Sequence, residues 1–207
     1  AATEKKERLN DKLELIWYPK AGYVAISHME FAVDGTVWDA NMGYREKTQI
    51  EAAERAARSG PKGFFRFKLS VTAEELENLK AFIKEREGKK VFQNCASGAC
   101  KAINKSTGIF IPFPFTNVPT LAAAYMTVMK KFGYSRVVKI EYVGKSALSN
   151  LVTLEVPWEL WTTYNVTKVA AMIIVYGYDQ SGKLIRTLVP LEEAESEDKD
   201  KPSSLPK

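Results

Sequence analysis

The 207-residue sequence predicts an α+β fold, with an antiparallel sheet, helices packed on it and a β-rich C-terminal extension. Segments that alternate apolar and polar residues are typical of half-buried strands, and two of them flank the hairpin signal Asp34-Gly35. A capping box at Thr72 opens an amphipathic helix, and small residues after Asn94-Cys95 predict a second helix. With 45% hydrophobic residues, the chain can bury one sizeable core.

The first predicted strands lie before, at and after His28, the single histidine of the chain. After a polar leader, residues 12–18 alternate as in a strand. His28 lies in a β-rich run, residues 22–35, which ends in the hairpin turn, and a second short strand follows over residues 36–40. Because side chains alternate faces along a strand, we expect His28 and Asp39 on one face of this hairpin.

The middle of the chain predicts a short helix, a strand and a longer helix. Alanines and Glu/Arg pairs favour a helix over residues 50–58. Residues 62–70 predict a strand with aromatic residues on one face and Arg66 and Lys68 on the other. The helix after Thr72 has Glu75 as its capping partner. Its apolar stripe is expected to pack in the core and consists of Leu76, Leu79, Phe82 and Ile83.

Beyond the Cys95 helix, the pattern is a loop, a helix and several strands. Pro112 and Pro114 exclude a central strand from the apolar loop, and a helix is predicted from Pro119 to a cap at Gly133. These patterns divide the chain into four predicted segments. The segments are a leader and strand (1–19), a core (20–135), a β-rich extension or accessory lobe with strands at 136–143, 151–156 and 168–190 (136–191), and a disordered tail (192–207).

Cys95 is the candidate nucleophile because it is predicted to begin a helix. A thiol there lies among unpaired backbone N–H groups at the positive end of the helix dipole, which lowers its pKa. The same N–H groups can hold an oxyanion. Facing a histidine that an acid orients, such a cysteine meets the requirement for thiol catalysis. Cys100 falls on another helix face, so we expect it to be structural and not paired with Cys95.

The motifs follow one order along the chain. They are Ser27-His28, Asp34-Gly35, Asp39-Ala40, a basic strand, an amphipathic helix and Asn94-Cys95-Ala96-Ser97. This order resembles the circularly permuted NlpC-type papain-fold superfamily, in which the histidine strand precedes the cysteine. That superfamily includes lecithin:retinol acyltransferase-like enzymes and bacterial cysteine amidases and peptidases. The resemblance covers residues 20–130 and implies a permuted papain-like core with Cys95 as nucleophile, His28 as base and Asp39 as the residue that orients His28.

The same resemblance implies a bacterial, secreted or periplasmic cysteine peptidase or amidase that cleaves amide bonds in peptides or peptidoglycan fragments. Two alternatives stay open: an acyltransferase or thioesterase acting on a lipid-like acyl substrate, and a catalytically silent papain-fold module that binds such ligands. Asn41 is an alternative to Asp39, because an amide can also orient a histidine. The candidates for the substrate cleft are Asn94, Phe113 and Phe115. The alternative for the two aromatic residues is that they close the core.

Other kinds of site find little support in the sequence. One histidine and two cysteines outside a CxxC motif do not supply a usual zinc ligand set, so no metal is expected. The sequence has no Gly-x-Ser-x-Gly elbow for a serine nucleophile and no glycine-rich phosphate loop. We therefore expect no cofactor.

The charge is distributed unevenly. Residues 192–207 hold six acids and three lysines, so the rest of the chain carries 27 basic and 19 acidic side chains, a net charge of +8. A basic body suits an anionic partner such as peptidoglycan or lipid headgroups. Since no basic run is interleaved with aromatic residues, no nucleic-acid partner is expected. The longest apolar runs, such as residues 169–176, are too short for a membrane span, so no transmembrane segment is predicted.

Overall fold

The computed structural model describes residues 6–18, 27–48, 64–145, 151–155, 172–178 and 184–190. The predicted helix over residues 50–58 and the predicted tail at 192–207 lie outside these ranges. Within them the α+β class is confirmed, because an antiparallel sheet carries three helices. None of the described helices is both long enough and apolar enough to cross a membrane.

The elements follow one another in a simple order. The strands are β1 (Arg8–Tyr18), β2 (His28–Val33), β3 (Thr36–Asp39), β4 (Arg45–Lys47), β5 (Phe64–Thr72), β6 (Val137–Lys145), β7 (Leu151–Glu155), β8 (Met172–Tyr178) and β9 (Leu184–Pro190). The helices are α1 (Ala73–Arg86), α2 (Cys95–Ser106) and α3 (Pro119–Lys131). The first seven strands form one sheet in the order β4-β3-β2-β1-β5-β6-β7, and β8 pairs with β9 as the predicted hairpin.

Strand β1 lies in the middle of the sheet, where it pairs with both β2 and β5. It begins at Arg8, four residues before the strand that the alternating pattern predicted. Of its first four residues, Arg8, Asn10 and Asp11 are polar and exposed and only Leu9 is apolar, so the period-2 signal is clear only where the strand is covered. Strand β6 pairs with β5, and residues 137–145 therefore extend the same sheet.

The two faces of the sheet carry different residues. One face packs against the helices through buried side chains that include Leu15, Met29, Phe31 and Phe67. The opposite face carries a smaller cluster around Ile16 and Tyr18. Because Tyr18 is opposite His28 in the β1–β2 register, the strand pattern places His28 on this second face.

The predicted turns and helix starts are present. Asp34 and Gly35 have φ angles of 50° and 84°, which is the backbone that a two-residue type I′ hairpin requires. Thr72 and Glu75 form the predicted capping box of α1, and the stripe of α1 is in the core with Leu76, Leu79 and Ile83 buried. Helix α3 begins at Pro119, and Gly133 with φ of 80° follows its end.

Glu75 joins three parts of the structure. Its carboxylate accepts hydrogen bonds from Arg136 in a bidentate pair of 2.6 and 2.7 Å, and from the Gly108 N–H at 3.0 Å. Arg136 in turn donates to the Ser70 carbonyl at 2.8 Å. Burial raises the pKa of Glu75, but the hydrogen bonds from Arg136, Thr72 and Gly108 outweigh it and lower the pKa from 4.5 to about 2.

We expect Glu75→Gln to weaken this junction. A carboxyl group with a lowered pKa stabilises the folded state above its ordinary pKa, and that stabilisation disappears as the pH falls from 4.5 to about 2. The contribution is on the order of 3 kcal/mol. Urea unfolding should show lower stability for Glu75→Gln at neutral pH and a flatter decline of stability in that acidic range. Glu77→Gln, an exposed position on the same helix, is the matched control, and equal acid profiles in the two variants would contradict this role.

Candidate active site

Helix α2 begins at Cys95, as the sequence predicted. The Ser97 N–H donates to Asn94 Oδ1 at 2.7 Å, and the Asn94 N–H donates to Ser97 Oγ at 3.0 Å. These reciprocal bonds are a capping box, which satisfies two of the unpaired donors at the helix start. The Cys95 N–H, at the first helical position, remains among the donors of this helix start.

The segment that leads to Cys95 is fixed to the turn after β3. The Met42 N–H donates to the Gln93 carbonyl at 3.0 Å, and the Val91 N–H donates to the Met42 carbonyl at 3.3 Å. Gln93 Nε2 also donates to the Ala40 carbonyl at 2.8 Å. A Cβ atom on Gly98 would lie 2.6 Å from the Ala40 side chain, so only glycine allows the helix to approach this closely. The position of Cys95 is therefore set by backbone contacts.

The Cys95 thiol meets strand β2 at its first residues. The His28 side chain and the Met29 backbone N–H act on the pKa of this thiol as hydrogen-bonding groups. Burial alone would raise the pKa of Cys95, and the Asp39 carboxylate acts in the same direction. The bonds from His28 and Met29, together with the charge of His28, outweigh these effects and lower the pKa of the thiol below its ordinary value of 9.0.

The second cysteine has the opposite environment. Cys100 is fully buried in the core, and both cysteines are free thiols. Burial, with a smaller effect from the nearby Cys95, raises the pKa of Cys100 to about 12. The two thiols therefore have opposite environments: the pKa of Cys95, at the helix start, is lowered, and that of Cys100, in the core, is raised.

A buried carboxylate, Glu30, contacts the histidine directly. His28 Nε2 lies 3.3 Å from Glu30 Oε1, and the Tyr18 hydroxyl donates to Glu30 Oε2 at 3.1 Å. Glu30 is 1% exposed. Glu30 was not among the residues predicted for the site, although strand alternation places it on the face of His28, since residues two apart on a strand share a face.

Asp39 also lies beside the histidine, on the strand face that the hairpin pattern predicted. Suitable oxygen and nitrogen atoms of His28, Glu30 and Asp39 lie within 4.8 Å of one another. Asp39 is 3% exposed, and it lies 3.3 Å from Arg45 and 3.7 Å from Lys47. Two carboxylates therefore lie beside the imidazole: Glu30, 3.3 Å from its Nε2 atom, and Asp39, which also contacts two cations.

Asn41 was the alternative residue for orienting His28. Its side chain would share the strand face of Asp39 only if β3 continued as a regular strand, and β3 does not. Strand β3 ends at Asp39, and the chain turns at Met42, where φ is 59°. The Asn41 side chain is exposed, whereas its backbone N–H donates to Asp39 Oδ1 at 2.9 Å. Asn41 thus contributes to the site through its backbone, by holding Asp39.

The proposed cleft residues divide into structural and exposed ones. Asn94 is committed to the capping box and donates to the Asn117 carbonyl at 2.8 Å, which ties the proline-rich loop to the helix start. Phe115 packs against the core, with its ring 5.3 Å from that of Tyr125. Phe113 is 78% exposed. Of the two alternatives for the aromatic residues, core closure describes Phe115, and Phe113 lies at the surface.

The spacing of His28, Glu30 and Asp39 would also allow a divalent metal ion. Their surroundings fit this use poorly. Asp39 receives an N–H donor and two cations, and Glu30 receives the Tyr18 hydroxyl, so the carboxylates are already balanced by positive or donor groups. The arrangement suits the support of an imidazolium better than the binding of a cation.

Comparisons with family models, with curated proteins and with solved structures give no match. The resemblance to permuted NlpC-type proteins, which depends on the order of the motifs, stays a prediction. The arrangement of Cys95, His28 and the two carboxylates is therefore the basis for assigning a function.

Glu30 and Asp39 are expected to act on the thiol in opposite directions. Glu30→Gln should remove a carboxylate that would stabilise the imidazolium, so the Cys95 thiolate should lose the support of the His28 charge and the pKa of the thiol should rise. Asp39→Asn should lower that pKa, because the Asp39 charge opposes the thiolate. The midpoint of the rate of iodoacetamide alkylation against pH measures both shifts. Shifts of the same sign in the two variants would show that the carboxylates do not have these separate roles.

Proposed function

We propose that this chain is a cysteine hydrolase that cleaves amide bonds, with Cys95 as nucleophile and His28 as general base. One observation carries the proposal: Cys95 begins a helix, and the single histidine of the chain is next to its thiol and lowers the pKa of that thiol. Such a pair, with an acid behind the histidine, is the arrangement that thiol catalysis requires.

The chemistry would proceed in two halves. His28 takes the thiol proton, and the Cys95 sulfur attacks the carbonyl carbon to give a tetrahedral oxyanion, towards which the helix-start N–H groups are suitable donors. The C–N bond then breaks, the amine leaves with the proton from His28, and an acyl thioester remains on Cys95. A water molecule deprotonated by His28 attacks this thioester, which releases the acid and restores the thiol.

Glu30 takes the orienting role in this mechanism. Its contact with His28 Nε2 at 3.3 Å would hold the ring and stabilise the imidazolium, and Tyr18 would hold Glu30. Asp39, the residue expected from the resemblance, would stand as a second carboxylate that balances the charge of the site together with Arg45 and Lys47.

Two other functions remain as alternatives. An acyltransferase would use the same first half and then pass the acyl group to an amine or alcohol in place of water. A silent binding module would keep the fold without the chemistry. The lowered pKa of Cys95 favours an active thiol, because a cysteine with only a packing role would resemble Cys100, whose pKa is raised. Cell-wall peptides as substrates follow from the resemblance alone.

We expect an acyl-enzyme on Cys95. The protein is mixed with p-nitrophenyl acetate and, separately, with peptide p-nitroanilides, and intact-protein mass spectrometry follows the acyl adduct. Cys95→Ala should lose both the adduct and the release of product, whereas the matched variant Cys100→Ala should retain them. Addition of an amine acceptor distinguishes hydrolysis from acyl transfer, since a transferase would form the new amide.

The control for ordinary thiol reactivity is the His28→Ala variant. If the wild-type protein were acylated no faster than His28→Ala, the thiol would have no general base and the hydrolase proposal would be wrong. Melting temperatures of all variants separate a catalytic loss from a folding defect.

A further inference from the structure

A basic cavity lies beside the segment that leads to the nucleophile. It has a volume of about 380 Å³ and is lined by residues 41–45 and 88–90. The two wall segments are the turn after β3 and the connection between α1 and α2. They are the same segments whose backbone hydrogen bonds, through Met42, fix the approach to Cys95.

The charged side chains among these lining residues are all cations. They are Arg45, Lys89 and Lys90. Arg45 also contacts Asp39 at 3.3 Å, so it lies between the catalytic carboxylates and the cavity. The acids next in sequence, Glu46 and Glu87, are not among the lining residues, and β-strand alternation turns Glu46 to the face opposite Arg45.

The walls of the cavity are held rigidly. Gly43 has a φ angle of 128°, and a Cβ atom there would lie 2.4 Å from the Lys89 carbonyl oxygen, so the two segments are in backbone contact. The hydroxyl of Tyr44, one of the lining residues, donates to the Gly98 carbonyl in α2 at 2.8 Å and so connects the cavity to the helix that begins at Cys95. Cations on such a frame lose less freedom on binding an anion than cations on a free loop.

The cavity lies within reach of one substrate molecule. Lys90 precedes Cys95 by five residues, and five residues of chain span at most about 17 Å. A substrate of a few residues' length can therefore place one end among the three cations and its carbonyl at the sulfur.

We propose that this cavity is an anion subsite, and that the substrates of Cys95 are acyl compounds that carry a carboxylate or a phosphate. Guanidinium and ammonium groups bind both anions through charge-assisted hydrogen bonds. This inference rests on the proposed hydrolase and deepens it, because it names the feature that selects the substrate.

The test uses chloroacetamide probes of matched length that alkylate Cys95. The thiolate sulfur forms a bond to the CH₂ carbon, the C–Cl bond breaks, and chloride leaves with the electron pair. The probes are N-chloroacetyl-glycylglycine, its neutral amide, and N-chloroacetyl-O-phosphoethanolamine. The second-order rate constant for alkylation by each probe is measured at low and high salt. Within each variant, the rate constant of an anionic probe is divided by that of the neutral probe, which cancels differences in the thiolate fraction.

We expect the anionic probes to react about tenfold faster than the neutral amide at low salt, with the preference reduced by added salt. The double variant Lys89→Glu/Lys90→Glu should lose the preference. The control Lys105→Glu/Lys131→Glu changes the net charge equally at exposed positions in the last turns of α2 and α3, and it should keep the preference.

The outcomes are distinct. A preference for only one anionic probe identifies the anion as carboxylate or phosphate. Equal rates for all three probes, or the same loss in both double variants, would overturn the subsite while leaving the hydrolase intact. If iodoacetamide and every probe reacted with Cys95 no faster than with an ordinary thiol, the proposed function itself would fail.

Discussion

The site depends on the open edge of β2 at Met29. Strand β3 pairs with residues 31–33 of β2 and ends at Asp39, so it does not continue along the first residues of β2. At this edge the Met29 N–H acts on the Cys95 sulfur as a hydrogen-bonding group and lowers the pKa of the thiol. Because His28 is the next residue, the same contact brings the imidazole to the thiol. A longer β3 would occupy this edge and displace the start of α2, so the contact between Cys95 and β2 requires the short hairpin strand.

The second feature of the site is the balance of charge around His28. Two buried carboxylates beside one imidazole would be costly without partners. Glu30 receives the Tyr18 hydroxyl, and Asp39 receives a backbone N–H, Arg45 and Lys47. Asp39 opposes the thiolate, whereas the His28 charge favours it. Arg45 connects this balance to the basic cavity, so an anion bound there would compete with Asp39 for the guanidinium and thereby alter the field at the sulfur.

Local signals predicted the local structure, because each depends on a few adjacent residues. The Asp34-Gly35 turn, the Thr72–Glu75 capping box and the helix start at Cys95 are of this kind. The common face of His28 and Asp39 also follows from alternation across a tight turn. Glu30 obeys the same rule but was not predicted, because the resemblance places the third residue on the next strand. The cavity could not be predicted, since its walls are more than 40 residues apart in sequence and meet only through tertiary hydrogen bonds.

Titration of the thiol tests whether His28 holds Cys95 as a thiolate, as proposed. The ultraviolet absorbance of the thiolate is followed against pH in the wild-type protein and in His28→Gln. The same titration of Cys95→Ala is subtracted, because the nine tyrosines and Cys100, whose pKa is raised to about 12, contribute equally to both proteins, so the difference belongs to Cys95. We expect the wild-type midpoint below 9.0, and a higher midpoint in His28→Gln because the hydrogen bond and the charge of the imidazole are lost while burial remains. The same midpoint in both proteins would contradict the pairing of Cys95 with His28 and, with it, the account of this site.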